Sequence, residues 1–357
     1  MHSSIISRVI GEHPIVLENN ENMNKNSFTS YIKQDDKYIP VSEATNVLPI
    51  GYYKPVHNQY DDKVYLSLRE IVKPNLYALP NKIQASLIRD IKKFWESEER
   101  YRKFGSVYKR NILMYSTPGN GKTSLINIIC GELISKYNGI VITIDSVQDL
   151  VSYPICMDRL RLIEPNRKVI TVIEDFERLT KNDDNASLLL QILDGNKQYD
   201  NVVTIATTNH PEILEKQFVC RPSRFNVVIE YNKPNKRTRQ AYIELKLRDG
   251  GIDITDEKVK ADIERLVKKT EGYTFDFVKE AIQGIYIDDI EEDVVFKRLE
   301  EIIAKNGKVV ISENDVKKIG FASSSCDDDD DMEDYSDLEE LERINEMRHF
   351  VGGDENP

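Results

Sequence analysis

The chain has 357 residues, enough for roughly two or three domains with proper cores, and 31% of its residues are charged. Its net charge of −12 sits at one end: Ser323 to Pro357 holds 14 acidic and 2 basic residues, so the remainder sums to zero. That excludes a basic coat for nucleic acid over the whole body, and four scattered cysteines (Cys130, Cys156, Cys220, Cys326) exclude a disulfide framework or a paired-cysteine zinc site.

Residues 1–80 are rich in Asn, Tyr and Pro, with short apolar runs at Tyr38–Val41, Val47–Val56 and Lys63–Leu68. Asn58-Gln-Tyr-Asp-Asp62 looks like a hairpin connection, and Asn19–Asn26 reads as a mobile loop. A small β-containing N-terminal domain over 1–80 is expected. The opening Met1-His2-Ser3-Ser4-Ile5 lacks the basic and apolar blocks of a signal peptide, and no apolar run approaches a membrane span. A soluble, intracellular chain is expected, with no membrane partner. From Ile83 the period changes. Ile83, Leu87, Ile88, Ile91, Phe94, Trp95 and Tyr101 share one helical face, which Gly105 can end.

The segment Asn111 to Ser124 is the most informative. Ile112 to Tyr115 reads as a buried strand, Pro118-Gly119-Asn120-Gly121 as a tight turn, and Lys122-Thr123-Ser124 as the opening of a helix running through Leu125 to Leu133. Strand, glycine turn, Lys-Thr and helix make a phosphate-binding P-loop, with Ser116, Thr117, Pro118, Gly119, Asn120, Gly121, Lys122, Thr123 and Ser124 as the candidate cradle. Backbone N–H groups and the positive end of the helix dipole face the phosphates. Lys122 can reach the outer phosphates and the Thr123 hydroxyl can ligate Mg²⁺. Ser116 stands where the pattern usually has glycine, so a strained or rebuilt turn is expected there.

Strands and helical patterns then alternate. Ile140–Ile144, Lys168–Ile173, Val202–Ala206 and Val227–Ile229 are near-continuous β-branched runs, as in a parallel sheet covered on both faces. The Lys168–Ile173 run delivers Glu174 and Asp175 at its C-terminal end, where ligands sit in open α/β sheets. One carboxylate can hold Mg²⁺ through water while the other polarises an attacking water. The next strand ends at Asn209, either a lytic-water holder or a plain turn former. Arg221-Pro-Ser-Arg224-Phe puts two guanidinium groups on a constrained loop. They either serve a neighbouring subunit's γ-phosphate or are solvated. The core is placed at 81–232.

Beyond Pro234 the patterns are helical: Lys236–Arg248, Glu257–Lys268, Thr274–Tyr286 and Glu291–Lys305. Ser312-Glu-Asn-Asp315 resembles a capping box before a last short helix. This gives a separate helical domain over 233–322. The run Asp327–Asp331 predicts a disordered acidic tail over 323–357, in which Leu338, Leu341, Ile344 and Met347 recur at helical spacing.

In this order the P-loop, Glu174-Asp175, Thr207-Thr-Asn-His-Pro211 and Arg221-Pro-Ser-Arg224-Phe, with Tyr101-x-x-x-Gly105 upstream and a helical domain downstream, resemble the AAA+ ATPases. The nearest group is the one that includes the mitochondrial Rieske-protein translocase. The resemblance runs from about Ile83 to Ile319. It implies a P-loop α/β core with a helical lid, ATP and Mg²⁺ as cofactors, and ATP hydrolysis. Lys122 and Thr123 match the Walker A pair, and Glu174 and Asp175 the Walker B positions in reversed order. Of these, Asp175 is assigned as water activator and Glu174 to the Mg²⁺ side. Asn209 matches sensor 1, and Arg221 and Arg224 the arginine fingers, with Ser223 replacing a glycine between them. No arginine stands at the sensor-2 position near Gly272-Tyr-Thr-Phe-Asp276. The aromatic pore motif has one candidate, Tyr153-Pro-Ile155, read as a loop before a helix at Asp158 and set against an ordinary surface tyrosine.

The leading expectation is a protein-remodelling or translocating motor built as a homo-oligomeric ring, a hexamer or a heptamer, with an unidentified protein client. The alternatives are a nucleic-acid transaction ATPase, using a basic strip such as Lys233-Pro-Asn-Lys-Arg237-Thr-Arg239, and a slow nucleotide-gated scaffold. High Ile, Lys, Asn and Tyr usage fits an AT-rich genome, so a cytoplasm is expected, the host's if the chain is viral.

Overall fold

The computed structural model describes residues 30–34, 37–41, 45–58, 63–69, 79–195, 197–211, 218, 221 and 223–306, with only the backbone course given for 30–34, 37–41 and 306. Two units separate, 1–48 and 49–357. The first contains an antiparallel hairpin of β1 (Ser30–Gln34) and β2 (Lys37–Val41), with Ile32 opposite Ile39. The expected loop at Asn19–Asn26, the capping box at Ser312, the last short helix and the acidic tail lie outside the described residues.

The second unit is built on a seven-stranded sheet. Its strands are β3 (Gly51–Asn58), β4 (Lys63–Arg69), β5 (Lys109–Tyr115), β6 (Ile140–Ile144), β7 (Val169–Ile173), β8 (Val202–Thr208) and β9 (Val227–Glu230), in the order β4-β3-β6-β7-β8-β5-β9. All neighbours pair in parallel except β3 with β4. The β-branched runs of β6, β7 and β8 are almost wholly buried, as a sheet with both faces covered requires. One face is covered by α1 (Lys82–Trp95) and α3 (Lys122–Tyr137). Their Leu87, Ile91, Phe94, Leu125, Ile129 and Leu133 join Ile112, Met114, Val141, Val172 and Val203 in one cluster. Each such side chain contributes about 1.5–3 kcal/mol on burial.

The division of the chain at residue 80 needs correcting. Strands β3 and β4, expected in a separate N-terminal domain, extend the main sheet. Gly51–Tyr53 pairs in parallel with Ile140–Ile142, Tyr52 and Tyr53 are buried, and the Tyr52 hydroxyl donates to the Asn127 carbonyl on α3 at 3.2 Å. An antiparallel hairpin has the same alternating pattern whether it stands alone or closes a sheet edge, so only the pairing distinguishes the two.

The single helix expected from Ile83 to Tyr101 breaks in two. Asn81 caps α1 by accepting from the Ile83 N–H, and Ser97 Oγ donates to the Lys93 carbonyl at 2.6 Å before α2 (Glu98–Lys103) begins. Rings of Phe94, Tyr101 and Tyr108 pack across the break.

A larger difference concerns α4 (Val147–Ile163), which starts well before Asp158 and is opened by a Ser146/Asp149 capping box. Only Asp145 and Ser146 connect β6 to it. Tyr153 is therefore neither on a loop nor on the surface. It is 1% exposed, its hydroxyl shares a 2.8 Å hydrogen bond with Thr171 Oγ1, and its ring meets Tyr199 edge-on. The pore-gripping and surface readings of Tyr153 both fail.

Short α5 (Phe176–Leu179) and α6 (Asp183–Leu193) follow β7. The lid is α7 (Lys236–Asp249), α8 (Glu257–Lys269), α9 (Phe275–Tyr286) and α10 (Glu292–Asn306), close to the expected bounds. Ile243, Leu247, Leu266, Val267, Val278, Ile282 and Leu299 form its own core. Thr238 Oγ1 on α7 donates to the Pro80 carbonyl, tying the lid to the residue before the α1 cap, while Asn81 Nδ2 donates to the Tyr231 hydroxyl within the core.

Candidate nucleotide-binding site

The site begins where β5 ends. Tyr115 is the last residue of a strand buried from Asn111 onward, and the chain turns through Ser116–Gly121 into α3. Gly119 and Gly121 carry φ of +81° and +80°, left-handed values that suit glycine and turn backbone N–H groups inward. The turn leaves no room for a side chain at Gly119. A Cβ there would lie 2.8 Å from Asp276 Oδ2 and 3.1 Å from Thr274 Oγ1, so the start of α9 rests on the loop. The Asp276 N–H donates to the Gly119 carbonyl at 3.1 Å.

Of the two alternatives expected at Ser116, strain is not the one found; the non-glycine residues with positive φ among those described are Asn138, Asp175, Asn201 and Asp289. Its hydroxyl is used instead. Ser116 Oγ donates to the Thr117 carbonyl at 2.8 Å and accepts from Lys122 Nζ at 3.2 Å. Asn120 Nδ2 donates to Thr117 Oγ1 at 2.8 Å, bracing the turn from within.

Lys122 is 9% exposed and reaches across to β8, where Nζ donates to Asn209 Oδ1 at 2.6 Å. Burial pushes its ammonium pKa down, opposed by the charges of Asp175, Glu177 and Glu174. Asn209 Nδ2 donates in turn to Asp175 Oδ1 at 3.3 Å. One amide thus joins the lysine of the P-loop to the carboxylate at the end of β7. This is possible because β8 lies between β5 and β7, with all three strands parallel and their C-terminal ends at one edge.

The two adjacent carboxylates face different surroundings. Glu174 is half-buried; burial raises its carboxyl pKa, a hydrogen bond with the Thr123 side chain opposes the rise, and the charges of Asp145 and Asp175 add to it. Asp175 adopts φ of +48°, an uncommon value for a side-chain-bearing residue, and opens onto a cleft of about 450 Å³ lined also by Glu177, Arg178, Lys181, Asn209 and His210. The reversed carboxylate order therefore leaves one acid beside Thr123 and the other beside Asn209.

The arginine loop lies elsewhere. Asn226 N–H donates to the Asn111 carbonyl, and β9 pairs with β5 from Ile112 onward, so residues 223–226 approach the N-terminal end of β5. At about 3.3 Å per residue this is about 15 Å from the P-loop of the same chain. Arg221 is exposed. Arg224 is not: it is 7% exposed, with Nε donating to Asp194 Oδ2 at 2.8 Å. The pairing of two solvent-facing fingers is thus not what the subunit presents.

Several participants were not identified from sequence. Glu177 is buried close enough to Lys122 to act on its charge, and Asp194 holds the arginine loop, neither with a sequence signal. The signal for the α9 contact was the helix start at Gly272–Asp276. That segment lacks a sensor-2 arginine but does bring Thr274, Phe275 and Asp276 to the P-loop.

Comparison with known proteins gives the same picture. Residues 112–233 match the family model described as "ATPase family associated with various cellular activities (AAA)". The chain is 26% identical over 205 residues to the ATP-dependent zinc metalloprotease FtsH 1 of Conexibacter woesei, covering 52% of this chain and 30% of that protein. It is 31% identical over 174 residues to the probable mitochondrial chaperone BCS1-A of Dictyostelium discoideum, covering 44% and 40%. With AAA-ATPase At2g18193 of Arabidopsis thaliana it shares 25% identity over 270 residues, covering 71% and 51%. The chain spans under a third of the length of the FtsH proteins it matches. Glycine turn, paired carboxylates and strand-end asparagine all fall within residues 112–233, the segment that matches the AAA ATPase family model.

Proposed function

We propose that the protein is an ATP-hydrolysing motor that remodels protein clients from a homo-oligomeric ring. The observation that carries this reading is the Lys122–Asn209–Asp175 chain of hydrogen bonds at the ends of β5, β8 and β7. It supports reading Lys122 as a phosphate-binding cation, Asn209 as a water-orienting amide and Asp175 as a general base at one edge of the sheet. Backbone N–H groups of the 117–122 turn and the Lys122 ammonium bind the phosphates. The Thr123 hydroxyl and the Glu174 carboxylate, close enough for the hydroxyl to shift the carboxyl's titration, are the donor set for Mg²⁺, which would neutralise phosphate charge when bound. Asp175, opening onto the cleft beside Asn209, takes the proton of the attacking water.

The ring follows from the arginine loop. It cannot reach its own P-loop, so an arginine at the γ-phosphate comes from another copy. A protein client is favoured by a body without net charge and by relatives named as proteases and chaperones. With two residues between β6 and α4 and Tyr153 buried, an aromatic loop at that point is not the grip. The basic strip 233–239 gives a nucleic-acid role little support. Arg239 is buried against the Pro234 and Val267 carbonyls, and Lys233 donates to the Gly272 carbonyl.

The test is ATPase activity of the purified chain against Lys122→Ala, with an expected ratio of about 100 or more. A ratio near one favours the slow scaffold. Crosslinking of the Asp175→Asn form, which binds but does not hydrolyse, followed by mass spectrometry should recover polypeptides; recovery of oligonucleotides would overturn the client assignment.

A further inference from the structure

We propose that Asp194 is a positioning residue for the arginine loop, holding Arg224 inside its own subunit so that Arg221 is the guanidinium offered to the nucleotide of a second copy. This rests on the ring reading above. Asp194 caps the C-terminus of α6, and its Oδ2 accepts two hydrogen bonds from the loop: from Arg224 Nε at 2.8 Å and from Ser223 Oγ at 3.1 Å. The Arg224 and Asp194 side chains are only 8% and 15% exposed. Extending Arg224 toward a neighbour would break this charge pair where little water reaches it.

The backbone is tied at the same point. Asn111 Nδ2 donates to the Arg224 carbonyl at 2.7 Å and to the Leu193 carbonyl at 3.2 Å, joining β5, the end of α6 and the loop. The Arg224 N–H closes a turn onto the Arg221 carbonyl at 3.0 Å. Phe225, 5% exposed, packs edge-on against Phe176, the residue after Asp175, with ring centroids 5.6 Å apart. Everything from Ser223 to Asn226 is thus anchored, and Arg221 at the head of the turn points the remaining guanidinium outward, exposed. The proposal also gives Ser223 a use: where the resemblance has glycine, this chain has a hydroxyl that adds a second tie to Asp194.

A residue that acts on a neighbour's site can be separated from one that merely holds the fold. Four full-length forms are needed: wild type, Lys122→Ala, Arg221→Ala and Asp194→Ala. Loss of the tie should lower kcat for ATP by between about 10- and 100-fold, the range for a misplaced catalytic group. KM for ATP should stay within about twofold of wild type, because the subunit's own phosphate cradle is untouched. When Asp194→Ala is mixed in equal amounts with inactive Lys122→Ala, each intact cradle next to an intact loop should work. Random assembly should then restore on the order of a quarter of the wild-type rate. If Asp194→Ala melts too low to assay, Asp194→Asn, which keeps one acceptor oxygen, should show a smaller fall and the same recovery.

Wild-type kcat in both Asp194 variants would overturn the proposal. So would failure of the Asp194→Ala mixture to recover while a mixture of Arg221→Ala with Lys122→Ala does recover, an outcome that leaves the ring reading standing. If neither mixture recovers, the ring reading itself is wrong and the proposal falls with it.

Discussion

Replacing Asn209 by Asp tests the proposed division of labour most directly, because the change is nearly isosteric and reverses one donor. In the wild type, Asn209 Nδ2 donates to Asp175 Oδ1 at 3.3 Å while Oδ1 accepts from Lys122 at 2.6 Å. In the variant an oxygen faces an oxygen. Two unit charges 3.3 Å apart repel by about 5 kcal/mol at an effective dielectric of 20. The Lys122 ammonium and the Arg178 guanidinium, 3.4 Å from Asp175 Oδ2, offset part of this, and the pair relieves what remains by sharing a proton, so one carboxyl of the variant pair titrates upward. A base that must be ionised is then protonated over a wider pH range. ATP hydrolysis at pH 7 should fall by about 100-fold or more, and the acid limb of the kcat profile should move to higher pH. Affinity for MgADP by calorimetry should change by less than about tenfold, since the cradle is intact. Asn209→Ala provides the control: a comparable loss of kcat with the acid limb unmoved. An Asn209→Asp enzyme whose acid limb coincides with that of Asn209→Ala would refute the assignment of Asp175 as the ionised base facing Asn209.

Two other sites make sharp predictions. Gly119→Ala forces a Cβ to within 2.8 Å of Asp276 Oδ2 at a φ of +81°, so it should weaken MgADP binding. Adding Asp276→Ala should recover the part due to the Asp276 carboxylate but not the about 1–2 kcal/mol due to backbone conformation, and equal affinities for single and double variants would remove the Asp276 contact from the argument. Burial pushes Lys109 from its ordinary 10.5 down to about 8, with Asp194 opposing. Between those values the unfolded chain holds the extra proton, so this lysine's contribution to stability rises with pH from 8 to 10.5 and is lost as pH falls through 8. Lys109→Met should therefore be more stable than wild type at pH 7 by urea titration, with the margin shrinking toward pH 10; a margin independent of pH would contradict the burial argument.

Much of the fold is legible in the sequence because burial on both faces of a sheet leaves a plain mark. Val169–Ile173 and Val202–Thr208 are β-branched runs that suit few other environments, and the lid helices keep their apolar period to within a residue or two of the observed ends. The P-loop is legible for the same local reason, since strand, glycine turn and Lys-Thr are contiguous. Contacts made between distant segments are not. Tyr153-Pro-Ile has the composition of a loop, yet a Ser146/Asp149 cap opens a helix seven residues earlier and the sheet buries the tyrosine.

What the sequence determined alone is the kind of chemistry: a turn that only glycine can make, followed by Lys122 and Thr123, and two carboxylates at a strand end. Those features act over a few bonds, so residue identity and spacing suffice. Tertiary structure decided how that chemistry is divided. Strand order placed Asn209 between Lys122 and Asp175, and the lid set α9 on the P-loop. The meeting of α6 with the loop before β9 drew Arg224 out of reach while leaving Arg221 exposed. Two arginines three residues apart look alike in the chain, and they differ because one of them meets a carboxylate 30 residues away.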